Sequence, residues 1–408
     1  MVLAAFTVVV VLVVVAILLL AGLATDLPVE PGAGYLGPSI RVGAAPVTAV
    51  FDNANGLVYV LNAASANVSV LDGDQLLASI FVGSIPSFAA YDSRNGFVYV
   101  VSDGGDLAPR GNVTVINGTH ATWSRNFGTS PGFVTYDSGN GDIYVVNFYA
   151  NNVSVLSGTI YLGSIGVGSA PEFAAYDSHN GYLYVPNSAS SNVSVISGTN
   201  VVGSVNVGSS PRSVTYDPAN GYVYVMNSQS DDVSVINGTT LVGTLNVGTT
   251  AFYATYDGSD GFIYVLNSGS ANVSVISGTT VVGSLMVGME PNFATYDPSN
   301  GDVYVPNASN GTISVLRGTT VVGSIGVGLD PDFVCYDSTD GNLYVLVGFT
   351  GRVVLIVGTN SSSSPLAVSH LQEALGLGAA TSAGLIALTA AAFWVARARK
   401  GRKALAKS

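Results

Sequence analysis

Lysine is missing from the long middle of this chain. Asp26 to Gln372 holds 24 acidic residues and 7 arginines, a formal −17, and every lysine lies beyond it. Only 9% of all residues are charged. Nucleic-acid binding needs clustered basic side chains to displace counterions, so that class is excluded. Sparse, acidic charge suits concentrated salt or an acidic medium, and the sequence leaves both habitats open. The single cysteine, Cys335, excludes an internal disulfide and reads as a buried, inert thiol. The three histidines, His120, His179 and His370, have no metal-ligand spacing. No Ser/His/Asp set, phosphate loop or dinucleotide fingerprint appears, so no cofactor is expected. A helical period is also missing between the two apolar ends.

What is present is repetition. An aromatic–Asp pair, two further residues, Asn-Gly or Asp-Gly, and an apolar–Tyr–Val run recur at Phe51, Tyr91, Tyr136, Tyr176, Tyr216, Tyr256, Tyr296 and Tyr336. The step is 40 residues except the second, which is 45. A fixed period of this size marks a stacked or circular repeat fold. Within one unit, Ser213–Tyr216, Tyr222–Met226, Asp232–Ile236 and Leu241–Val247 are short runs rich in β-branched and aromatic residues. Turn signals separate them: Asp217-Pro-Ala-Asn-Gly221 and Asn237-Gly238. Four short antiparallel strands in about 40 residues describe one propeller blade. The expected fold is an all-β, eight-bladed propeller over residues 35–358. The eighth unit lacks a fourth strand, and the orphan segment Tyr35–Gly43 resembles the fourth strand at Tyr161–Gly168, with Pro38 as one added residue. That segment is expected to complete the last blade and remove two free sheet edges.

The ends read as membrane segments. Residues 1–24 are a signal peptide or an N-terminal anchor, and residues 25–34 a linker. Residues 359–373 form a Ser-rich stalk. Ala374–Ala396 is an uncharged run of membrane-spanning length, expected to be a C-terminal transmembrane helix. Residues 397–408 form a tail with six basic residues, expected to stay in the cytoplasm and leave the ring outside the cell membrane.

The runs Tyr144-Val-Val-Asn147, Tyr184-Val-Pro-Asn187 and Tyr224-Val-Met-Asn227, each followed by Asn-Val-Ser-Val or its variant, with Pro-x-Phe ahead of the first two, resemble the YVTN β-propeller repeats. The resemblance covers Tyr35 to Gly358. It implies a cell-surface or archaeal surface-layer type of protein. Members of that family are often described with seven blades, whereas this chain counts eight.

In a propeller, the loops entering the first strand and those joining the second to the third share one face, around the mouth of the central channel. Beside the Val-Gly-x-x-Pro motif, at the position after the proline or its Ala251 substitute, the units differ: Val47, Ser87, Gly132, Glu172, Arg212, Phe252, Asn292 and Asp332. Glu290 and Asp330 precede the proline in the last two units. Glu172, Arg212, Phe252, Glu290, Asn292, Asp330 and Asp332 are therefore the candidate binding face. The arc Glu290, Asn292, Asp330 and Asp332 resembles faintly the metal-holding residues of propeller lactonases. Mutual repulsion is expected to turn these acids outward, with no neighbouring groups to orient them. No metal site is expected. If they converge, a hard cation such as calcium fits them best. Blade two carries five added residues in Asp103–Arg110, on the same face. The eight turn aspartates are expected to cap turns.

Sequons occur at Asn67, Asn112, Asn117, Asn152, Asn192, Asn237, Asn272, Asn307, Asn310 and Asn360. In an exported protein they are candidate glycan acceptors. The reading is of a non-enzymatic, membrane-anchored extracellular propeller for adhesion, envelope assembly or ligand recognition. Its partners would be the membrane and surface proteins or glycans. The alternatives are a receptor ectodomain and a lactonase-like hydrolase.

Overall fold

The computed structural model describes residues 34–105, 111–127 and 130–358. The two apolar runs, the stalk, the basic tail and Asn360 lie outside the described residues. Among the described residues, no helix is long and apolar enough to cross a membrane.

Eight four-stranded antiparallel sheets follow one another. Blade 1 is Pro46–Asp52, Leu57–Asn62, Asn67–Asp72 and Gln75–Phe81; blade 2 is Pro86–Asp92, Phe97–Ser102, Asn112–Asn117 and His120–Asn126. Blades 3 to 7 begin at Pro131, Ala175, Pro211, Ala251 and Thr295. Blade 8 is composite: Pro331–Tyr336, Leu343–Val347 and Arg352–Val357 are completed by Tyr35–Arg41. The eighth unit and the N-terminal segment therefore close the ring as expected.

Pro38 is not an added residue. Tyr35 pairs with Val357 and Leu36 with Ile356, as Ile160 pairs with Ser157 and Tyr161 with Leu156. The closing strand has the same seven residues as its counterparts, and Pro38 occupies the place of Gly163 inside the bulge that every fourth strand carries. The Tyr-Leu-Gly match between the two segments is thus out of register by one. A bulged edge tolerates proline because no ladder hydrogen bond is required there.

Each core lies between two blades. Tyr224, Met226, Val233 and Val235 of blade 5 pack on Ala254, Ile263, Val265 and Ile276 of blade 6. Tyr344, Leu346, Val353, Leu355 and Ile40 of blade 8 pack on Val58, Val60 and Leu71 of blade 1. With a neighbour on both faces, the second strands are apolar throughout rather than alternating. Their eight tyrosines are fully buried. The Tyr144 hydroxyl donates to Gly198 O of the next blade at 3.0 Å and accepts from Asn140 Nδ2. Tyr344 closes the circle by donating to Gly73 O at 3.2 Å.

The turn aspartates cap turns, as expected. Asp177 Oδ1 accepts from His179 N at 2.8 Å, and Asp52, Asp92, Asp137, Asp217, Asp257, Asp297 and Asp337 repeat the contact. The second carboxylate oxygen of Asp177, Asp217, Asp257 and Asp297 is buried without a hydrogen bond of ordinary geometry. Several of these aspartates face the first-strand tyrosine of the following blade. Burial and then Asp52 push Tyr91 up to about 12; Tyr176 and Tyr296 are raised by burial first and by Asp137 and Asp257 further down. Cys335 is buried and free, its thiol pushed up to about 12 by burial and then by Asp337.

The axis is not an open channel at the level of the first strands. In six blades the side chain two places after the proline, or after Ala251 in blade 6, is aromatic and meets the others there: Phe88, Phe133, Phe173, Tyr253, Phe293 and Phe333. Phe88 of blade 2 reaches Phe293 of blade 7 with ring centroids 5.9 Å apart, and Phe173 reaches Phe293 at 6.4 Å. Edge-to-face and tilted ring contacts such as these fill an irregular space well. Blades 1 and 5, opposite one another, carry Thr48 and Ser213 instead. Their hydroxyls donate to Ser87 O at 2.9 Å and to Phe252 O at 2.7 Å in the next blade.

Candidate functional site

The mouth lies at the N-terminal ends of the first strands. The residue before each proline, or before Ala251 in blade 6, is held at positive φ: Ala45, Ile85, Ser130, Ala170, Ser210, Thr250, Glu290 and Asp330, the last two at 56° and 64°. A left-handed residue ahead of proline is costly, so the repeat imposes this bend on whatever side chain stands there. Blades 4 and 7 add a further device. Pro186 and Pro306 lack the N–H for the ladder, and the first strands shorten to Ala175–Asp177 and Thr295–Asp297. Glu172 N and Asn292 N then donate to Pro186 O and Pro306 O at 3.3 and 3.0 Å.

The seven candidate residues form two separate groups. In the first, Arg212 Nε stands 3.3 Å from Glu172 Oε2, and its guanidinium carbon is 5.7 Å from the Phe252 ring centre. The arginine links three consecutive blades through one ion pair and one cation–π contact. In the second, Asn292 Nδ2 donates to Asp332 Oδ1 at 3.2 Å, and Ser309 Oγ donates to Glu290 Oε2 at 2.6 Å. Asp330 and Asp332 both crowd Gly348, whose missing Cβ would lie 3.2 and 2.7 Å from their Oδ2 atoms.

The expectation that these acids turn outward fails for Asp332. It is largely buried, and burial, then Asp330, push its carboxyl up to about 7, with Glu290 adding to the rise against the Asn292 hydrogen bond. Asp330 is raised by burial and by Glu290. The fold thus keeps Asp332 where burial and the neighbouring acids favour its neutral form, instead of turning it into water. The expectation of no supporting shell also fails: Glu172, Glu290 and Asp332 each have an oriented partner. Among the described residues, no three His, Cys, Asp or Glu side chains are arranged to hold a metal ion.

His120 and His179 lie by the turns of the opposite face; His370 is outside the described residues. Of the insertion, Asp103–Gly105 is described, and Asp103 accepts a hydrogen bond from Ser130 Oγ.

The sequons divide by burial. Asn307 is fully buried and donates to Ser314 Oγ at 3.0 Å. Asn67, Asn112, Asn192 and Asn272 are partly buried and donate to a serine of the fourth strand. Asn152 is partly buried, and its Oδ1 accepts from Asn147. Asn117, Asn237 and Asn310 are exposed.

Sequence reasoning missed the axial plug, although its signal was an aromatic residue two places after proline at the repeat period. No protein-family model and no curated protein matches this sequence. Among solved structures, the C-terminal WD40 domain of Sif2 is similar with a TM-score of 0.66 at 9% identity, covering 80% of this chain and 99% of that one. A streptogramin B lyase is similar at 0.56 and 13%, covering 80% and 98%. A catalytically inactive virginiamycin B lyase from Staphylococcus aureus with quinupristin is similar at 0.54 and 12%, covering 79% and 98%. These likenesses support the eight-bladed propeller and carry the fold alone.

Proposed function

We propose that this chain is a non-enzymatic propeller of the YVTN type, held at the cell membrane and displayed outside it, whose mouth face recognises a surface protein, a glycan or a soluble ligand. The observation that carries the reading is the pairing of Tyr35 with Val357. Both ends of the ring emerge at one point of blade 8, on the face of the turn aspartates. A tether at either end leaves the mouth free. The lysine-free, acidic composition of the ring and the basic residues after Ala396 support the same orientation. Asn117, Asn237 and Asn310 are the sequons open to glycan attachment in the folded ring.

The single buried cysteine gives a clean background for the test. Ala219→Cys lies in an exposed turn of the ring, and Ser408→Cys at the end of the tail. A membrane-impermeant maleimide added to intact cells labels Ala219→Cys and spares Ser408→Cys until the cells are opened. Labelling in the reverse order, or of neither site before lysis, overturns the proposal.

A further inference from the structure

We propose that the outer groove between blades 2 and 3 binds a carboxylate-bearing sugar, with Arg125 as its anchor. Four departures from the repeat converge there. Arg125 occupies the position of Ile80, Ile165, Val205, Leu245, Leu285 and Ile325, all aliphatic. Trp123 replaces the glycine of blades 3 to 7, and Phe127 replaces the valine seen at Val82 and Val167. Across the groove, Tyr161 stands where other blades have Leu76, Val201 or Leu241. The cavity holds about 220 Å3 and is lined by Arg125, Phe127, Tyr161, Asn152, Ser154 and Ser164, among others.

The arrangement is that of a prepared anion receptor. The Arg125 guanidinium lies 4.7 Å from the Tyr161 ring centre and 5.7 Å from that of Phe127, and the two rings meet at 66°. The two ring contacts hold the guanidinium in place, and its N–H fork suits a planar, two-oxygen partner. Among the described residues, no carboxylate pairs with Arg125; Glu172 and Asp302 are paired with Arg212 and Arg317. A second observation comes from Asn152. In blades 1, 2, 4 and 6 the corresponding asparagine donates its Nδ2 to the fourth-strand serine at 2.8 to 3.1 Å. Asn152 Nδ2 and Ser164 Oγ make no such bond. One amide donor and one hydroxyl thus remain beside the guanidinium. A carboxylate meets Arg125, sugar hydroxyls meet Asn152 and Ser164, and the apolar face of a pyranose meets Tyr161. The site is separate from the mouth, so either proposal can fail alone.

Titration calorimetry of the full chain in detergent with D-glucuronate, D-glucose and sulfate tests it. Glucuronate is expected to bind saturably in the range below ~10 mM, and Arg125→Gln to weaken it by about tenfold or more. Arg125→Lys keeps the charge without the fork and is expected to weaken binding as well. Arg125 is exposed and its two ring contacts contribute little there, so the melting temperature should fall only slightly in both variants. The proposal is overturned if glucuronate gives no saturable heat, if glucose binds equally well, if sulfate binds equally well, or if Arg125→Gln binds as the parent does.

Discussion

Two sides of one mouth carry acids at equivalent places in the repeat and treat them oppositely. On blades 4 to 6, Glu172 is neutralised by Arg212, which also rests on Phe252. On blades 7 and 8, Glu290, Asp330 and Asp332 have no cation among the described residues; Ser309 donates to Glu290 and Asn292 to Asp332. The first side is built on blades of continuous chain; blade 8 is assembled from both ends. A repeat therefore fixes where a side chain stands but not its charge state, which depends on what the neighbouring blades supply.

The largest contrast should come from the way the two sides are assembled. Ile40 in the closing strand and Ile165 in blade 3 are equally buried counterparts. A buried carboxylate at either costs on the order of 3–5 kcal/mol. Ile165 lies in a strand joined to the ring at both ends, whereas the closing strand enters from one side only. Ile40→Asp is expected to release Tyr35–Arg41 to protease while the remaining blades persist; Ile165→Asp should lower the melting temperature without a new cleavage site there. Equal protection of both strands would show that closure is no weaker than continuity.

Next in size is the acid side itself. The Asp332 pKa is raised in the fold, so its contribution is full below the unfolded value near ~4 and is lost as pH rises through about 7. Asp332→Asn should therefore stabilise the ring by on the order of 2–4 kcal/mol at pH ~8 and by little at pH ~4, read from denaturant midpoints. Asp142, Asp217, Asp260, Asp302, Asp330 and Asp337 are shifted in the same direction, each chiefly by burial. The parent ring should accordingly become more stable as pH falls from neutrality towards ~4.

The paired side should respond less. Arg212→Ala removes a partly exposed ion pair, and the expected loss is about 1 kcal/mol at low salt, shrinking as salt is added. A loss independent of salt would assign the effect to the Phe252 contact instead. Smallest is Ser309→Ala, which takes one hydroxyl donor from Glu290 and should cost roughly 0.5–1 kcal/mol at neutral pH. Combined with Arg212→Ala the two losses should add, since they share no partner. Coupling beyond ~0.5 kcal/mol would show that the two sides act as one unit.

Much of the fold was legible from Phe51 to Tyr336 because each blade is written locally. Asp-Gly and Asn-Gly turns and β-branched runs need only near neighbours, and the missing fourth strand announced the closure at Tyr35. The register of that closure was not legible. Tyr-Leu-Gly occurs in both segments, and only the bulge decides that Tyr35 matches Ile160.

The sequence by itself determined the blade count, the strand order and which residues stand at equivalent places, since a period of 40 repeats the same positions from blade to blade. The tertiary structure alone decided which of them meet. Arg212 and Glu172 are neighbours only because successive blades are turned side by side. The rings of Phe88 and Phe293 touch only because the circle closes. Arg125 finds Tyr161 rather than a carboxylate only because the edges of blades 2 and 3 abut. Hydrogen-bond and turn chemistry act over a few residues of chain, whereas charge pairing and burial depend on distance through space.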